Sequence, residues 1–213
     1  MDGMLSNMEK VLEAKNIFER ERKSMKTRAL GVILYHFGIS LRNTSLVISS
    51  FEQASHEAVR DWYLRAAKIF QVRKVERKII AIDETKIKIN GKWRILWAAV
   101  DIENWDVLGV WVTQGRSSFE AYGFIRYVLN RCENKPKILV DGGPWYPPAL
   151  TRLGVEWEHI TFGLRNPVEQ WFGILKHRIN LFYNRWPHNA SLHDAQSWIE
   201  AFVALYHVKE MLT

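Results

Sequence analysis

Apolar positions in the first third of the chain recur at helical spacing, with no strand-like alternation. Met8, Val11, Leu12 and Phe18 form a stripe that ends in the charged run at residues 19–23. A second helix fits residues 28–37 and stops at Gly38. Ser40 is placed to cap a third helix over 41–50, and Ser55 a fourth from His56 to about residue 70. Residues 71–78 hold four basic side chains and one acid, and read as a junction.

From Ile79 the period changes. Residues 79–89 are rich in β-branched side chains and run into Asn90-Gly91, a strong hairpin signal. Strands over 93–100 and 107–113 follow, separated by a polar turn at 101–106. Residues 118–132 pattern as an amphipathic helix, and 137–140 as a short buried strand ending at Asp141-Gly142-Gly143. A Pro-rich turn, a short helix near 149–153, a strand around 157–161 and a long helix from Pro167 to about residue 183 complete the series. The order β-β-β-α-β-α-β-α predicts an α/β domain with a three-stranded meander and later crossovers. A last helix, 191–212, carries Trp198, Phe202, Leu205 and Tyr206 on one face, suited to packing on the sheet or to contact with another protomer. The pattern thus predicts an N-terminal helix over 1–27, a helical domain over 28–72 and an α/β domain over 78–213.

Composition narrows the classes. Among 213 residues the apolar fraction is 47%, enough for a sizeable core. The longest apolar runs, at 79–82 and 96–100, fall far short of the ~18 residues of a membrane span. The first 30 residues carry charge every few positions, unlike a secretory signal. A single cysteine, Cys132, excludes an intrachain disulfide framework and a zinc site built on paired cysteines. These features predict a soluble, globular protein of a reducing compartment. The net charge of +7 is uneven. Residues 1–78 hold 15 basic and 9 acidic side chains against 15 and 14 in the remainder, so the front end suits a polyanion such as nucleic acid.

Candidate chemistry follows from where acids interrupt apolar runs. Asp83 sits within the first strand, and Asp141 ends the fourth before two glycines. If those strands are neighbours, both carboxylates reach one pocket. In isolation, each also fits a turn or edge aspartate. Asn166-Pro167-Val168-Glu169 reads as a helix start, so Glu169 fits either a capping role or a third ligand. Lys176, seven residues on, shares the Glu169 face. Three carboxylates with a lysine suit two divalent cations and a phosphate. Glu84 points to the strand face opposite Asp83 and is set aside. Asp101 and Asp106 read as turn formers. His159, His177, His188 and His193 lack metal-ligand spacing. Trp145 and Tyr146, beside Asp141, suit either base stacking or packing. In the front segment, the helices at 41–50 and 56–70 have the layout of a helix-turn-helix. Val59, Trp62, Tyr63, Ala66 and Ile69 face inward; His56, Arg60, Arg65 and Lys68 face out toward DNA, or form a solvated basic face.

These blocks resemble a known family. Ile82-Asp83-Glu84-Thr85, the run Val140-Asp141-Gly142-Gly143-Pro144-Trp145-Tyr146, and Asn166-Pro167-Val168-Glu169-Gln170-Trp171-Phe172 resemble the catalytic blocks of DDE insertion-sequence transposases. The likeness is strongest to the short archaeal type related to the insertion-sequence-six family, and it covers nearly the whole chain. It implies a ribonuclease-H-like, integrase-like mixed sheet flanked by helices, preceded by an all-α helix-turn-helix domain. It implies Asp83, Asp141 and Glu169 as a metal-binding triad for two Mg²⁺ ions, with Mn²⁺ able to substitute, and Lys176 as the basic residue beyond the glutamate. The 27 residues between Asp141 and Glu169 make a shorter gap than the broader superfamily shows. The implied activity is binding of terminal inverted repeats, 3′-end cleavage and strand transfer into target DNA. A homodimer or higher oligomer on double-stranded DNA, in a prokaryotic cytoplasm at the nucleoid, follows from that activity. A ribonuclease-H-like structure-specific nuclease and a DNA-binding regulator from a decayed element are the alternatives; strand joining separates transposase from nuclease.

Overall fold

A computed structural model describes residues 2–18, 22–160, 163, 166–182, 186 and 190–212. By contact the chain forms two units, residues 1–71 with 197–213 and residues 72–196.

In the helical unit, α1 (Asp2–Ala14), α2 (Met25–His36), α3 (Leu41–Ser49) and α4 (His56–Arg65) follow the apolar stripes. Ser40 and Ser55 cap α3 and α4, their Oγ atoms accepting from Asn43 N at 3.2 Å and Ala58 N at 3.1 Å. Helix α2 packs on α1, α3 and α4, and α3 on α4. Val59, Trp62, Tyr63, Ala66 and Ile69 are buried as expected. The fourth helix is shorter than its pattern predicts: residues Ala66–Ile69 tighten into a 3-10 turn.

In the strand unit, β1 (Ile79–Ile89), β2 (Lys92–Asp101) and β3 (Val107–Thr113) form an antiparallel meander. Asn90 and Gly91 both take positive φ, 45° and 77°, which supplies the tight hairpin turn. After α5 (Ser118–Leu129), β4 (Lys137–Val140) returns parallel to β1. After α6 (Tyr146–Leu153), β5 (Trp157–His159) lies parallel to β4. The sheet order is β3-β2-β1-β4-β5, a mixed ribonuclease-H-like sheet. One face buries Ile80, Ile82, Trp97 and Leu108 against Phe124 and Ile125 of α5 and Leu150 of α6. Ala81, Leu96, Ala98 and Val100 of the other face are also buried, and α7 (Asn166–Asn180) packs on β1 and β2. The meander's far turn is anchored by a buried ion pair, Arg77 Nη1 to Asp101 Oδ2 at 2.5 Å.

The last helix is α8 (Leu192–Leu212). From Ser197 onward it groups by contact with the helical unit. Trp198 Nε1 donates to Tyr35 Oη at 3.2 Å, and Phe202 lies against His36 with ring centroids 5.3 Å apart. The reading of residues 161 and 183 as element ends, and His188, lie outside the described residues.

Candidate active site

The parallel register of β1 and β4 places the first two acids. Ala81 lies opposite Leu139, so two residues further on Asp83 falls beside Asp141. Among the described residues, β4 pairs with β1 only over Ile79–Ala81. Asp83, Glu84 and Asp141 each offer a carboxylate oxygen, and the three lie within 4.8 Å of one another.

Glu84 overturns the sequence expectation. It does occupy the face opposite Asp83, in line with Ile80 and Ile82. Its carboxylate nevertheless lies with those of Asp83 and Asp141. Its side chain is 2% exposed. Oε1 accepts from Arg116 Nη1 at 2.8 Å, and Oε2 from the Tyr146 hydroxyl at 2.5 Å. Tyr146 takes the packing option named for it and adds a hydrogen bond to Glu84, whereas Arg116 is a partner that the sequence reading does not single out. The available signal was a carboxylate on the inward parity of a buried strand, which demands partners. Tyr146 is fully buried, which excludes the base-stacking option for this residue. Burial, and then the negative charge of Glu84, Asp83 and Asp141 around it, hold its phenol well above the ordinary range, so it stays a neutral donor.

The turn after Asp141 is tightly built. Asp141 Oδ1 accepts from Gly143 N at 3.0 Å. The Arg116 guanidinium stacks over Trp145 at 4.2 Å from its ring centroid. The carboxylates of this group form an all-oxygen donor set, which suits a hard divalent cation.

Glu169 lies in the first turn of α7, on the helix's exposed side, and does not join the group of three. Lys176 is exposed too, two turns along. In the helical unit, Arg60 and Lys68 are exposed and His56 is half-buried beside Glu57, 3.3 Å away. Arg65 departs from the outward placement: its Nη2 donates to the Ile17 carbonyl at 2.8 Å and its guanidinium lies over the Phe18 ring. Cys132 is buried, and desolvation pushes its thiol above the usual range.

A five-stranded mixed sheet that brings Asp83 and Asp141 together from neighbouring strands frames the comparison with known proteins. Residues 77–210 match the DDE domain model of IS240-type transposases. The chain belongs to this DDE transposase family. Over 96% of its length, and 96% of the relative's, it is 44% identical to an uncharacterized protein of Methanocaldococcus jannaschii. It is also 29% identical to the transposase for insertion sequence element IS257 of Staphylococcus aureus, covering 64% of this chain and 62% of that protein. Among solved structures, the HTLV-2 integrase catalytic core in complex with magnesium aligns with a TM-score of 0.45 at 20% identity, over 59% of this chain and 85% of that one.

Proposed function

We propose that this protein is a DNA transposase that binds the terminal inverted repeats of an insertion sequence, cleaves their 3′ ends and transfers them to target DNA. The observation that carries the reading is the β1–β4 register, which sets Asp83 beside Asp141 in a chain of the DDE family. Asp83 and Asp141 are the metal-holding pair, and Glu169 is the third ligand. Glu169, in the first turn of α7 and apart from that pair, is read as the third ligand from its place in the Asn166–Phe172 block of the DDE family. Two Mg²⁺ ions held there supply Lewis acidity at a phosphodiester.

The chain's own groups do the rest. Lys176, on the Glu169 side of α7, holds a phosphate near the cleaved bond. Water releases a 3′-OH, and that 3′-OH then displaces a 3′ oxygen of target DNA, exchanging one phosphodiester for another. In the helical unit, α3 and α4 act as a helix-turn-helix, with Arg60 at base edges and His56 and Lys68 toward phosphates; Arg65 supports the helix from behind. Handling two ends calls for a homodimer or larger assembly. Among the described residues no helix is long and apolar enough to cross a membrane, in keeping with action on cytoplasmic DNA.

The test is single-turnover reaction of the full chain with Mg²⁺ and DNA carrying the sequences that flank its gene. Nicking at the 3′ ends followed by joined products is expected. Asp83→Asn, Asp141→Asn and Glu169→Gln each abolish both steps and leave end binding intact. Cleavage without joining would make the protein a nuclease; full cleavage by Asp83→Asn would remove the metal assignment.

A further inference from the structure

The acidic group contains one carboxylate with a different job. Glu84 is sealed inside the unit, and both its oxygens already accept hydrogen bonds, from Arg116 and from Tyr146. A buried carboxylate is tolerated when a cation and further donors satisfy it, and removing one partner leaves the rest unpaired. These two donors flank the segment that matters. Tyr146 begins α6, immediately after the turn that starts at Asp141. Arg116 lies flat on Trp145, the residue before it. The Trp145 indole is in turn pressed onto Gly143, whose N–H is held by the Asp141 carboxylate. Glu84 thus grips the far end of the turn directly through one oxygen and through a stacked guanidinium with the other. Its chain neighbour is Asp83.

We propose that Glu84 is a positioning residue, which ties the 141–146 turn to β1 through Tyr146 and Arg116 and so sets Asp141 at its working distance from Asp83. The inference rests on reading Asp83 and Asp141 as the metal-holding pair. Glu84 itself is committed to its two donors and does not serve as a ligand. Tyr146→Phe removes only the hydroxyl; Glu84→Gln keeps the shape but removes the negative charge opposite Arg116 and one of the two acceptors.

Amide hydrogen exchange and Mn²⁺ titration of the full-length protein test this, with Mn²⁺ alone as the probe. Both variants are expected to exchange faster across 141–146 and to bind Mn²⁺ about fivefold more weakly, the worth of a single hydrogen bond. The double variant should be no weaker than the worse single one, because the two residues act as a unit. Arg116→Lys, which keeps a cation, should protect the turn better than Arg116→Ala. Unchanged exchange and Mn²⁺ affinity in Tyr146→Phe would overturn the proposal, as would a lower melting temperature with wild-type Mn²⁺ affinity. Loss of Mn²⁺ binding in Glu84→Gln with a wild-type Tyr146→Phe would overturn it by making Glu84 a ligand. Asp83→Asn in the same titration checks the metal reading separately. If that variant binds Mn²⁺ normally the reading falls, while exchange of the turn still decides the role of Glu84.

Discussion

A Cβ built on Gly143 would lie 2.6 Å from the Trp145 ring, closer than carbon atoms pack, whereas at Gly142 the nearest atom is His159 Nε2 at 3.3 Å. Gly143→Ala should therefore destabilise the strand unit by about 1–3 kcal/mol through overpacking, and Gly142→Ala by far less, because the exposed imidazole can swing aside. Urea unfolding of the two variants checks the contrast; equal losses would refute it. Tyr146 gives a pH prediction. The folded chain holds its phenolic proton more tightly than the unfolded chain, which releases it near ~10. Its contribution to stability is fully present below that pH and declines as pH rises through the higher folded value. Tyr146→Phe should flatten the alkaline limb of a melting-temperature profile. For Lys176, single-turnover cleavage should survive in part in Lys176→Arg and nearly vanish in Lys176→Ala, since the charge matters more than its shape. Asp83 and Asp141 were legible because each breaks an apolar run where charge is expensive. Glu84 was not, because alternation along one strand says nothing about where the neighbouring strand ends.

At the scale of elements, caps and turn residues carried most of the information. Ser40, Ser55 and the Asn90-Gly91 pair act locally, so their structural consequence is readable without knowing the rest of the chain. Ser55→Ala should lower the stability of the helical unit by about 1 kcal/mol, measured by chemical unfolding. The end of α4 was less legible: the apolar period continues through Ala66 and Ile69 while the backbone tightens into a 3-10 turn. Arg65 was misplaced for a related reason. Helical phase puts it on the outer side, yet the carbonyl of Ile17 and the ring of Phe18 draw it in. Two adjacent turns of one helix should therefore separate under mutation. Arg60→Ala should weaken binding to end-containing DNA and flatten its preference over random DNA, with little change in stability. Arg65→Ala should lower stability by about 1–2 kcal/mol through its lost hydrogen bond to a charged donor. Equilibrium binding and unfolding on both variants decide it, and a reversal of the two patterns would place Arg65 at the DNA.

At the scale of the whole molecule, the chain's end closes a unit that its beginning opens. Such a long-range pairing leaves no local trace: the stripe of α8 announces a buried face but not its partner. Trp198, Ile199, Phe202 and Leu205 are nearly inaccessible to solvent, and Trp198 and Phe202 pack on a cluster that includes Tyr35, His36 and Tyr63. Side chains of this size contribute roughly 1.5–3 kcal/mol each on burial, so the four together exceed about 6 kcal/mol. Domain stabilities are commonly about 5–15 kcal/mol, so the helical unit without this segment has little margin. A chain ending at Gln196 keeps every residue of the strand unit, including the side chain whose amide pairs with Val110 and Val112 of β3. Its strand unit should therefore unfold as in the full-length protein. Its helical unit should lose cooperative unfolding and amide protection in α2 and α4, and with them the salt-sensitive binding to end DNA expected of a basic helical surface. Wild-type protection in α2 and α4 of the shortened chain would show that residues 1–71 fold without α8. Residues 1–78 alone should fail in the same way as the truncated chain. Adding residues 197–213 as a separate peptide should restore part of the protection in α2 and α4, because the same apolar surface is then covered again.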